Sequence, residues 1–133
     1  MRRISLVAAS AAMLALSALP ASAAMASTTT HALSFPGLSG VKAWGSYTKV
    51  AKGVKVNVCA ETTKKGIFAV GAVTEAFNSS GSLHANLGAV SIGYHQTVCR
   101  SMTLRYSAHL KVYTFTANNK GMINHKTGLK KIY

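Results

Sequence analysis

The chain has 133 residues, 15 Lys plus Arg and only 2 acids, a size that supports one hydrophobic core and leaves no room for a second domain. The acids are Glu61 and Glu75, and there is no Asp. Paired-carboxylate hydrolysis therefore has only two residues to draw on, and a Ser-His-Asp arrangement lacks its third member.

The first stretch, MRRISLVAASAAMLALSALPASAAMAS, has Arg2 and Arg3, an apolar run from Ile4 to Leu19, Pro20 and then small residues. It reads as a secretory signal peptide over residues 1–23. Ala21-Ser22-Ala23 satisfies the small-x-small rule, so cleavage is expected after Ala23, with a shift as far as Ala26. The run is shorter than the roughly 20 residues a membrane span needs. The arginines resemble a twin-arginine signal, but the usual Ser or Thr before them is missing, which favours general secretion. No Cys follows as a lipid attachment point, so the expected location is secreted or extracellular. Without Arg2 and Arg3, 13 of the 15 cations remain against 2 acids, a net charge near +11, and 11 of them are Lys. Lysine is a hydrated point charge, which suits diffuse attraction to a polyanion better than bidentate reading of one group.

Residues 24–40, AMASTTTHALSFPGLSG, show no sustained period and read as a flexible arm, with Phe35 docking at the domain edge. From Val41 to Tyr133, β-branched and aromatic runs alternate with Gly, Asn and Ser. Strands are predicted at Val41 to Val50, Val54 to Thr62, Ile67 to Asn78, Leu83 to Tyr94, Val98 to Tyr106, Leu110 to Ala117 and Gly128 to Tyr133. Seven strands with short turns predict an all-β antiparallel sandwich, with a small barrel as the competitor. Cys59 and Cys99, in an exported chain, are expected to form one disulfide. Val54, Val56 and Val58 share one strand face; Lys55, Asn57 and Cys59 share the other. Met102, Leu104 and Tyr106 likewise oppose Cys99, Ser101, Thr103 and Arg105. The disulfide is therefore expected outside the main core, stapling strands at an edge; a bulge that swaps faces is the alternative.

VGAVTEAF at Val70 to Phe77 and LGAVSIGY at Leu87 to Tyr94 repeat one pattern around the turn sequence NSSGS. A two-residue loop at Ser80-Gly81 would set Gly71 opposite Val90, Ala72 opposite Ala89 and Val73 opposite Gly88. The repeat then reads as a packing device for a central hairpin covered on both faces.

His31, His84, His95, His109 and His125 show no short ligand spacing, so no metal or cofactor is expected, and no nucleophile motif accompanies them. The chain is expected not to be an enzyme. Lys49, Lys52 and Lys55, the pair Lys64 and Lys65, and Lys126, Lys130 and Lys131 form basic stretches that are the candidate polyanion-binding residues. The bland reading is a soluble surface with lysine-blunted edge strands. Trp44, Tyr47, Tyr113 and Tyr133 lie near these lysines and could stack a sugar or base, although burial is the expectation for Trp44, and the shared parity of Tyr113 and Phe115 also fits a core. The expected partners are anionic cell-wall polymers or a membrane surface. Sequence-specific nucleic-acid reading is not expected. The alternatives are a protein-binding factor, inhibitor-like or toxin-like, using an exposed loop at Asn118 to Gly128, and a passive structural component.

The Ala-rich signal, the single disulfide and the segment LRYSAHLKVYTF resemble small secreted proteins of uncharacterised function from high-GC Gram-positive bacteria. The resemblance covers the signal and Val41 to Tyr133. It implies a bacterial exported protein and carries over no activity and no functional residue.

Overall fold

A computed structural model describes residues 29–105 and 107–133. The signal peptide with its cleavage site, the start of the arm and Tyr106 lie outside the described residues. In chain order the strands are β1 (Thr30–Leu33), β2 (Val41–Val50), β3 (Gly53–Thr62), β4 (Ala69–Phe77), β5 (Leu83–Ile92), β6 (Thr97–Arg105), β7 (His109–Ala117), β8 (Ile123–Lys126) and β9 (Lys130–Lys131). They form two antiparallel sheets, β1-β2-β3-β6 and β9-β7-β4-β5, with β8 also paired to β7. The sheets do not close into a barrel. The protein is an all-β sandwich.

Alternation places the core between the layers. Val54, Val56, Val58 and Ala60 point inward from β3, and Val70, Ala72 and Ala76 meet them from β4, each at most 1% exposed. Leu104, Leu110 and Val112 extend the same cluster. Burying each such aliphatic side chain contributes roughly 1.5–3 kcal/mol. β5 crosses from one sheet to β6 in the other through a tight corner, where the Gly93 N–H donates to the Phe68 carbonyl and the His95 N–H to that of Thr62.

The hairpin register stands as expected: Gly71 faces Val90, Ala72 faces Ala89 and Val73 faces Gly88. The turn does not. Asn78 and Ser82 close a three-residue loop in which the Gly81 N–H donates to the Asn78 carbonyl, and the register shifts once between Ala76 and Phe77, leaving His84 as an extra residue. The longer loop and the bulge cancel, so the central pairs are the same as for a two-residue loop. The Asn78 side-chain oxygen accepts the backbone N–H groups of Ser80 and Ser82. The β7–β8 turn repeats this device at Asn118, Lys120 and Met122, with Asn124 as its extra residue. Gly81 and Gly121 supply the left-handed backbone both turns need, at φ of 89° and 80°.

Three further expectations need correction. The arm is ordered from Thr30, where β1 pairs with β2 from Thr30–Thr48 to Leu33–Gly45; Leu33 is buried, and Phe35 packs on the core as expected. Its Thr, His and Ala residues gave no apolar period because only Leu33 reaches the interior. The loop expected at Asn118 to Gly128 contains β8, and the strand expected at Gly128 to Tyr133 shortens to Lys130–Lys131. Thr127 separates β8 from β9: its backbone N–H donates to the Thr114 carbonyl and its hydroxyl accepts the Thr114 N–H.

Candidate functional site

Cys59 and Cys99 form the disulfide, 40 residues apart in sequence. They are direct partners between β3 and the edge strand β6, on the face of the sheet turned away from the core, as their parity predicted. Trp44 is the cross-strand neighbour of Cys59 on its other side. Cys59 is only 2% exposed although it lies on the solvent face, which the bulk of Trp44 explains. Core burial of Trp44 is thus corrected: it shares the parity of Lys42 and Ser46, is half-buried, and has the Lys42 Nζ 5.2 Å from its ring centroid.

Tyr113 and Phe115 are also outside the core. They lie on the outer face of β7, while Leu110, Val112, Thr114 and Thr116 face inward. A Cβ at Gly71 would come within 2.2 Å of the Phe115 ring, so the ring lies flat over the glycine. The Gly of the first repeat therefore serves close packing, but it is a side chain of the same sheet, not another layer, that covers it. Tyr113 has its phenol pushed above its usual value by burial and, secondarily, by Glu75.

At the β2–β3 turn an aromatic column closes the open side of the sandwich: His31 stacks on Tyr47 at 5.0 Å, Tyr47 meets Tyr133 at 5.4 Å, and the Lys49 Nζ sits 4.1 Å from the Tyr133 centroid. Burial raises the Tyr133 pKa; a hydrogen bond with Ser107 lowers it and Tyr47 raises it further. Lys131, two residues before Tyr133, is the register partner of Lys111.

The eight candidate lysines consequently do not share one patch. Lys49, Lys52, Lys55 and Lys131 belong to the β2–β3 turn end. Lys64 and Lys65 lie in the β3–β4 loop at the opposite end, and Lys126 and Lys130 run along the β8–β9 edge. The Lys130 Nζ donates to Ser34 Oγ, and that of Lys126 sits 4.4 Å from the Tyr113 centroid. Lys111, over the Phe77 ring at 4.9 Å, is a cation of the turn end that sequence reasoning passed over, because strand parity in β7 gives no hint that β9 will lie beside it. Among the described residues no lysine forms an ion pair with a carboxylate; His95 Nδ1 lies 3.6 Å from Glu61 Oε2.

At the end occupied by Lys64, the β3–β4 loop, the segment before β2 and the β7–β8 hairpin enclose a groove of about 720 Å³. Its floor includes Thr116 and Ala117, which are buried, and one side presents Phe68, 44% exposed. The Lys64 Nζ donates to Ser39 Oγ at 2.6 Å. Thr116 Oγ1 donates to Asn124 Oδ1, also at 2.6 Å. Sequence reasoning missed this site because its donors are contributed by three separate segments; the recurrence of an Asn-x-x-Gly turn was the available signal.

The groove gathers Ser39, Lys64 and His125, whereas Glu61 lies with His95 and Thr97 and Glu75 on the outer face of β4 opposite Lys111. Among the described residues no group of three or more His, Cys, Asp or Glu could hold a metal ion, and no helix is long and apolar enough to cross a membrane. Comparison of the chain with protein-family models, with curated proteins and with solved structures finds no significant match.

Proposed function

We propose that this protein is an exported, non-enzymatic cationic module that adsorbs to anionic polymers of a bacterial surface or its surroundings. The observation that carries this reading is the uncompensated lysine coat. None of the described lysines is neutralised by a carboxylate, and five hold their ammonium over an aromatic ring, those of Lys42, Lys49, Lys65, Lys111 and Lys126. Ring contact steadies the side chain without cancelling its charge, so the ammonium groups stay available to a polyanion. Lysines at both ends and along one edge suit a flexible polymer that touches several sides better than a single compact ligand. The disulfide is compatible with an oxidising location.

The test is co-sedimentation of the purified protein with Gram-positive cell walls, before and after stripping of their anionic polymers, across a salt series. Adsorption should fall steeply with salt and disappear on stripping, since it is driven by counterion release and screened charge. Absence of adsorption overturns the reading, and salt-resistant binding replaces it with a protein partner.

A further inference from the structure

We propose that the end groove is a specific site for an anionic saccharide unit, a sugar bearing a carboxylate or a phosphate; this goes beyond polymer adsorption and does not depend on it. The polarity of the rim carries the argument. Asn118 spends its side-chain oxygen on the Lys120 and Met122 N–H groups, and Asn124 spends its own on Thr116. Among the described residues neither amide N–H has a protein acceptor, so both asparagines offer the groove donors. Lys64 adds ammonium hydrogens beyond the one given to Ser39, and the Ser39 hydroxyl, having accepted, is left to donate. No carboxylate lines the groove. A ligand must therefore be rich in acceptor oxygens and negatively charged, because a donor desolvated without a partner opposes binding.

Shape selects further. A bare inorganic anion would use Lys64 and the amides but leave the exposed Phe68 ring and Ile67 uncovered. A purely apolar acid would cover Phe68 but leave most of the donors unpaired. A sugar ring has hydroxyl oxygens around its rim and a C–H face that stacks on an aromatic ring, and the groove volume is within the usual range for small-molecule sites. The bulge that turns Asn124 toward Thr116 belongs to the same device as the β4–β5 turn, and the β7–β8 copy lines the groove.

The experiment is a heteronuclear NMR titration of the purified protein with glucuronic acid, glucose 6-phosphate, glucose and inorganic phosphate. The two acidic sugars should give saturable shifts centred on Phe68, Asn118 and Asn124, with glucose and phosphate about tenfold weaker or more. Lys64→Ala, a change at an exposed side chain, should weaken both acidic sugars by about tenfold at an unchanged melting temperature. Shifts that never saturate, shifts scattered over the lysines, or phosphate binding as tightly as glucose 6-phosphate overturn the proposal. The triple variant Lys49→Ala, Lys52→Ala and Lys131→Ala separates the two readings: it should reduce cell-wall adsorption and leave the sugar titration unchanged.

Discussion

Thr74 is fully buried on the inward face of β4, between Leu87 and Val112 in the ladder, and its Oγ1 has no hydrogen-bond partner among the described residues. A buried hydroxyl in that state costs free energy that an isosteric methyl does not. Thr74→Val should therefore raise stability by about 1 kcal/mol, read as a higher urea midpoint at unchanged slope. Thr62 on β3 and Ser91 on β5 show the opposite solution across the two sheets, where their hydroxyls share a hydrogen bond at 3.4 Å and Ser91 Oγ also donates to the Gln96 carbonyl. The contrast is local: Ser91 adjoins the β5–β6 corner, where backbone carbonyls are free to accept, whereas Thr74 sits in mid-strand where the ladder already uses them.

Among the elements, β6 is the one whose attachment rests most on covalent chemistry. It is an edge strand, most of its side chains are exposed, and Leu104 is its buried anchor. Removing the disulfide with Cys59→Ala and Cys99→Ala lengthens the unfolded chain's freedom over 40 residues of separation, at a cost of about 4 kcal/mol on the chain-entropy model. The nine-pair register of β6 with β3 should survive, so the variant is expected to fold at 25 °C with a urea midpoint well below that of the parent. A variant as stable as the parent would show that β6 is held by its ladder and Leu104 instead.

For the whole molecule, the closure of the sandwich by Tyr133 against Tyr47 and Lys49 couples stability to alkaline pH. The Tyr133 and Tyr113 phenols are both raised above the usual 10.0, chiefly by burial. The folded state then holds these protons more tightly than the unfolded chain. Their contribution is complete below about pH 10 and is lost as the pH climbs through the folded-state values. Phenolate absorbance should show a late-titrating component that Tyr133→Phe reduces, and the same variant should lose less stability between neutral and alkaline pH than the parent.

Strand face and register were legible in the residues because a period of two needs only the local alternation of Val54, Val56 and Val58 against Lys55, Asn57 and Cys59. The disulfide's position outside the core followed from that parity, while the β4–β5 register agrees with the expected pairs because a longer loop is offset by a bulge, in a hairpin whose β5 lies at the sheet edge. Nothing local revealed β1, since a single inward Leu33 makes no pattern until β2 lies beside it. Trp44 was misplaced, and the core alternative for Tyr113 and Phe115 failed, for a related reason: large apolar side chains suggest a core, yet here each occupies the outward face of a strand. The all-β architecture, the pairing of the cysteines and the excess of lysine were readable without a fold, because they depend on composition and short-range period. The spread of the lysines over both ends and one edge, and the meeting of Ser39, Lys64, Phe68 and Asn124 in a groove, come from long-range strand placement. Those placements arise from which strands become neighbours, and strand order is set by burial summed over both sheets, not by any one segment.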